Sequence, residues 1–195
     1  MKPFPIFLVA LALSLPASAE TGVWKIDPAS SSAHFSVRHM MVSKVKGSFE
    51  KVTGRVTGDL ENPATAKVVV TIDASSIDTD NADRDDHLRS ADFLEVAKHP
   101  EITFASTRIE PDGRGWRMRG NLTIRGVTRE VVLAVKGPSA AVRRGDSIRR
   151  EATATTRINR KDFGLTWNRA IETGGVVVGD DVDITIEVAL VQQAQ

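Results

Sequence analysis

The sequence predicts an all-β domain, an antiparallel barrel of about eight strands with one or two short helices covering a mouth. Three observations predict it. Apolar residues recur with a period of two along most of the chain, which gives each segment one buried face. Turn signals at Asp112-Gly113, Arg125-Gly126, Gly145-Asp146 and Gly179-Asp180 separate these segments. Long strands joined by short turns pair up and down, and closing such a sheet removes its edges.

The first segment is an address rather than part of the fold. Lys2, the apolar run Ile6 to Leu13, Pro16 and the small-x-small site Ala17-Ser18-Ala19 read as a signal peptide over residues 1–19, cleaved before Glu20. The run is shorter than the roughly 20 residues a spanning helix needs. Residues 20–195 are then expected as one exported domain.

Along that domain, strands are expected at 22–27, 32–38, 46–60, 66–77, 101–110, 116–125, 131–136, 147–159 and 182–190, some of them halves of one bent strand. Val182, Ile184, Ile186, Val188 and Leu190 show the alternation most clearly. Asn81 to Phe93 breaks the period and reads as a helix with Asp80 as N-cap and Asp83 in its first turn. It is placed across one barrel mouth, and a second helical turn is expected around His39–Ser43. Neither an internal repeat nor a linker divides the chain.

Composition excludes several classes. The chain carries 26 basic and 25 acidic side chains, and the leader removes one lysine, so the mature charge balances. A general nucleic-acid binder would be strongly basic. Without cysteine, disulfides, thiol catalysis and cysteine–zinc sites are all excluded.

The same period nominates the barrel lining: Phe35 and Val37, Phe49, then Val68, Val70 and Ile72, then Ile102 and Phe104, then Trp116, Met118 and Leu122, and finally Ile184. An eight-stranded barrel is either just filled by such side chains or just able to hold one small ligand. The pattern alone leaves both outcomes open.

Polar clusters are weaker signals. Asp78, Asp80, Asp83, Asp85 and Asp86 fail as a calcium loop, because Asp83 stands where glycine and Arg89 where glutamate is required. Helix capping and an Arg84–carboxylate pair account for them. His34 and His39 are five apart on a strand and face opposite sides, while His87 and His99 lack a third ligand, so no metal site is expected. Neither a Gly-x-Ser-x-Gly elbow nor an HExxH helix occurs, and Ser90 near His87 and Asp92 is only a sequence neighbourhood, so no catalytic residue is assigned. Arg143, Arg144, Arg149 and Arg150 make a basic hairpin tip that suits either solvent or anionic lipid headgroups.

Several blocks carry a family resemblance through the mature chain. They are Trp24-Lys25-Ile26-Asp27-Pro28, His34 to His39, Gly47-Ser48-Phe49, Asn81-x-x-Arg84-Asp85-x-His87-Leu88-x-Ser90-x-Asp92-Phe93, and Pro100-x-Ile102-x-Phe104-x-Ser106. Gly120 to Thr128, Ile158-Asn159-Arg160-x-Asp162-Phe163-Gly164 and Val178-Gly179-Asp180-x-Val182 complete the set. In order and spacing the chain resembles the YceI-like family of periplasmic, polyisoprenoid-binding proteins. The resemblance implies a lipocalin-like barrel whose interior holds an isoprenoid chain or isoprenoid quinone for storage or transport, and no established reaction. It turns the lining residues into ligand-binding candidates and adds Asn81, Arg84, His87 and Asp92 as mouth residues that meet a headgroup or tie the helix to the strands. The bound lipid is the only expected ligand, with transient membrane contact and a homodimer as open partners. A lipid-modifying barrel enzyme, or a stress-related protein with a filled barrel acting through a partner surface, are the alternatives.

Overall fold

The computed structural model describes residues 22–40, 43–170 and 177–193; the expected leader lies outside them. Twelve strand segments are present: β1 (Gly22–Ile26), β2 (Ser32–His39), β3 (Ser43–Phe49), β4 (Val52–Gly58), β5 (Lys67–Asp73), β6 (Ile77–Asp78), β7 (Glu101–Asp112), β8 (Gly115–Ile124), β9 (Val127–Lys136), β10 (Val142–Arg144), β11 (Ser147–Asn159) and β12 (Val178–Gln193). One helix, α1 (Ala82–Arg89), lies between β6 and β7.

Four pairs of these segments are single strands bent by a local break. β1 and β2 share one edge of β12, separated by a 3₁₀ turn at Pro28–Ser30 in which the Asp27 carboxylate accepts from the Ala29 N–H. β3 and β4 run on around Glu50 and Lys51. β5 and β6 are split by a turn in which Asp73 accepts from both the Ser75 N–H and its hydroxyl. β9 and β10 are split around Pro138, whose missing N–H cannot serve a ladder. The result is an eight-stranded closed antiparallel barrel, each strand beside its sequence neighbours. A ladder from Ser147↔Gln193 to Asn159↔Asp181 joins β11 to β12. Thirteen residues of β11 at about 3.3 Å each, tilted by about 40°, give a barrel roughly 30 Å tall.

Local chemistry places the helix differently from the expectation. Asn81, not Asp80, is the N-cap, its side-chain oxygen accepting from the Arg84 N–H at 2.9 Å. Asp80 sits at φ 60° and donates its N–H to Asp78. The helix stops at Arg89 because the next residues form turns, with the Leu94 N–H donating back to the Leu88 carbonyl. Around His39–Ser43, β2 runs through His39 and β3 begins at Ser43, so the described residues there are strand and turn rather than helix; Met41 and Val42 lie outside the described residues. Gly179-Asp180 is within β12 rather than a turn, beside an irregularity in the β2–β12 register.

Both ends of the barrel are built over among the described residues. At the upper end lie α1, the segment 90–100, the β8–β9 turn and the loop after β11. The lower end carries the 3₁₀ turn at Pro63–Thr65 and the hairpin between β10 and β11.

Candidate functional site

Inside the barrel runs a cavity of about 260 Å³ whose surface is apolar throughout. Apolar cavities of about 150 Å³ already stay dry and accept benzene-sized guests, so this space is large enough for a real ligand. Its lining reaches from Leu60 and Pro63 at the lower end to Leu88, Phe93, Leu94 and Leu165 at the upper. The space is therefore elongated along the barrel.

Every residue nominated from the strand period lines this cavity, in two grades of burial. Val70, Ile72, Ile102, Phe104 and Met118 are buried among neighbours. Phe35, Val37, Phe49, Val68, Trp116, Leu122 and Ile184 also point inward, yet remain half-buried. An inward side chain with accessible surface faces empty space rather than packing partners. Two glycines help keep that space open. A Cβ on Gly120 would stand 2.3 Å from the Phe104 ring, and one on Gly47 would stand 2.5 Å from the Phe35 ring. Each ring occupies space that a Cβ on the glycine would fill.

More lining was legible than was nominated. Val131 and Val135 on β9, with Ile186 and Val188 on β12, continue the same alternation. The end caps Leu60, Pro63, Leu94 and Leu165 sit in turns, where no period announces them.

The four mouth candidates divide. Asn81 and Arg84 are turned to their own backbone: Asn81 caps α1, and Arg84 donates from Nε to the Thr79 hydroxyl and from Nη2 to the Thr79 carbonyl, both at 2.7 Å. The expected Arg84–carboxylate pair is replaced by this fork, and the Thr79 hydroxyl donates to buried Asp85 instead. His87 and Asp92 stand at the rim, paired at 2.9 Å between Nε2 and Oδ2. The His87 ring meets Phe93 and Trp167 edge-on, at centroid distances of 5.0 and 4.8 Å. Ser90 donates its hydroxyl to the His87 carbonyl at 2.7 Å, as a helix cap does.

Arg160, a residue of the Ile158–Gly164 block, is the most buried charge of the mouth. It donates to the carbonyls of Leu165, Trp167 and Gly179, drawing the loop after β11 against the start of β12. Burial pulls its pKa down, and the Asp180 carboxylate opposes that shift. At the other end, Arg149 is held by Asp27 and Glu151, and Arg150 lies over the Trp24 ring at 5.6 Å while pairing with Glu61. Only Arg143 and Arg144 of the expected basic tip stand exposed. Among the described residues, no three His, Asp or Glu side chains converge as a metal site would require, and no helix is long and apolar enough to cross a membrane.

A model of the YceI-like domain matches residues 24–190, nearly the whole barrel. The chain belongs to the YceI-like family. A UPF0312 protein of Enterobacter sp. (strain 638) is 40% identical over 182 residues, covering 90% of each chain. The solved Campylobacter jejuni YCEI protein shares 30% identity with a TM-score of 0.68, over 80% of this chain and 90% of that one. A polyisoprenoid binding domain from Saccharophagus degradans, implicated in plant cell wall breakdown, matches in fold with a TM-score of 0.61 at 16% identity, over 90% of this chain and 100% of that one. The family match and these neighbours support the barrel fold, and the apolar cavity is where that fold has room.

Proposed function

We propose that this YceI-like protein carries one long apolar lipid, a polyisoprenoid or isoprenoid quinone, in its barrel for storage or transport in the periplasm. The elongated, wholly apolar cavity carries the proposal. A ligand that fills it brings a chain rather than a polar core, since the surface the cavity presents is apolar. The half-buried set from Phe35 to Ile184 contacts the chain, and His87 and Asp92 border its emerging end. Asn81 and Arg84 act by holding α1 in place. The solved S. degradans relative adds support through the class of ligand named for it. The leader read at residues 1–19 supports export.

The energetics favour carriage between membranes. Each methylene buried from water contributes about 0.8 kcal/mol, so a loaded chain does not leave into buffer. A bilayer is as apolar as the barrel, so the balance between them is small and exchange belongs at a membrane surface. Native mass spectrometry of the protein purified from its own periplasm, followed by lipid extraction, tests this. A stoichiometric extra mass that extracts as an isoprenoid is the expected result. An empty protein that also takes no isoprenoid from vesicles refutes it.

A further inference from the structure

The barrel wall is uneven. Most neighbouring strands are paired by long ladders, and β8 and β9 pair without interruption from Trp116↔Val135 to Ile124↔Val127. Between β9 and β11 the ladder covers only Thr153↔Lys136, Ala154↔Val135 and Thr155↔Ala134. Above Thr155 the two strands part. There the contact passes through a side chain, the Thr156 hydroxyl donating to the Val132 carbonyl at 2.8 Å.

The parting has a counterpart on each side of the wall. An outer groove lies along it, bordered by Arg129, Val132, Arg157, Asn159 and Asp162. Val131, Thr156 and Ile158 line both this groove and the interior cavity. At this seam the wall is one side chain thick. A backbone ladder would have to lose several hydrogen bonds to open, whereas here a single side-chain bond spans the gap, with Ala134 and Thr155 as the hinge.

Among the described residues, side chains bridge both ends. At the upper end the His87, Phe93 and Trp167 rings pack together and Arg125 donates to the carbonyls of Gly164 and Ala91. At the lower end Arg150 lies over Trp24 and pairs with Glu61. We propose that the β9–β11 seam is the lateral portal through which an apolar chain enters and leaves the cavity, with the polar groove outside it receiving the chain's polar end during transfer. This rests on the carrier reading above.

The test uses the full mature chain, all-trans-retinol as a fluorescent isoprenoid alcohol, and lipid vesicles as acceptor. Because the protein has no cysteine of its own, a pair can be introduced cleanly. Extending the register past Thr155↔Ala134 sets Val132 opposite Arg157, so Val132→Cys with Arg157→Cys can be joined by oxidation or by a short bis-maleimide and verified by mass. The joined form should bind retinol at equilibrium as the reduced form does, but exchange it with vesicles at least tenfold more slowly. Joining Ala105→Cys to Asn121→Cys, partners in the long β7–β8 ladder, should leave the rate unchanged. Thr156→Val should exchange about fivefold faster, which corresponds to the loss of one bond of about 1 kcal/mol. Equal exchange in the joined, reduced and Thr156→Val forms, with binding intact, overturns the portal and leaves the carrier reading standing. Failure of every form to bind retinol removes the carrier reading, and the portal with it.

Discussion

Replacing Ile184 by tryptophan separates an open barrel from a filled one. Ile184 sits mid-way along β12, opposite Phe35 on β2 and Thr156 on β11, and points into the cavity while only half-buried. In a packed core, the extra bulk would force neighbours off their rotamers at a cost of about 1–3 kcal/mol. For a domain of this size each kcal/mol lowers Tm by about 2–4 °C, so a filled barrel should lose roughly 2–12 °C. In the open barrel seen here the indole enters empty space and buries apolar area of its own, so Tm should hold or rise. The same indole displaces ligand. Excluding roughly four chain methylenes at about 0.8 kcal/mol each removes about 3 kcal/mol, or about a hundredfold in affinity. Thermal unfolding of the lipid-free protein and a fluorescence titration with retinol read the two quantities independently. A drop of several degrees together with unchanged retinol affinity would refute the argument, because it would mean that the bore is packed and the ligand lies elsewhere.

Three further outcomes follow from the same geometry. Phe163→Ala empties one of the largest fully buried side chains and should cost about 3–5 kcal/mol in urea unfolding, a loss below 1 kcal/mol being incompatible with that burial. Arg160→Met strands the carbonyls of Leu165, Trp167 and Gly179; it should lower stability by about 3–5 kcal/mol, and Arg160→Lys should not rescue it, because an ammonium cannot reproduce the fork. The Arg157 guanidinium, 2.6 Å from Asp183, holds that carboxyl below the ordinary carboxylate range. Its contribution is complete above the ordinary carboxylate pKa and is lost as pH falls through the lowered folded value. Asp183→Asn should therefore be less stable than the parent at pH 7 and match it in strong acid, and a gap that persists in acid would contradict the pairing.

Much of the architecture is legible in local pattern. The period of two places the main strands, though not the short β10, and orients Phe35, Val70, Phe104, Met118 and Ile184 inward, because side chains on a strand alternate faces whatever the strand pairs with. Bent strands are harder. The break at Pro138 reads as a strand end, whereas the expected strand 66–77 runs straight through the break at Asp73–Ser76, and only the pairing shows how the halves are joined. The helix falls in the expected segment but is capped one residue later than expected and ends at Arg89 rather than Phe93, since Asp80 and Asn81 are both good caps and only backbone conformation decides between them. Arg84 and Arg160 illustrate the limit for the mouth. Their chemistry is to bind backbone carbonyls brought near by folding, and a backbone acceptor has no letter in the sequence.

The sequence by itself determined the inward and outward faces, the balanced charge, the absence of thiol chemistry and the family, because each depends on residue identity and spacing along the chain. The tertiary structure alone decided that the inward faces enclose a cavity rather than a packed core. It also decided that Gly47 and Gly120 lie under the rings of Phe35 and Phe104, and that the β9–β11 backbone ladder stops above Thr155. Whether a barrel has a bore depends on how side chains from eight strands meet across about 10 Å of interior, and that is a property of closure in three dimensions rather than of any one strand.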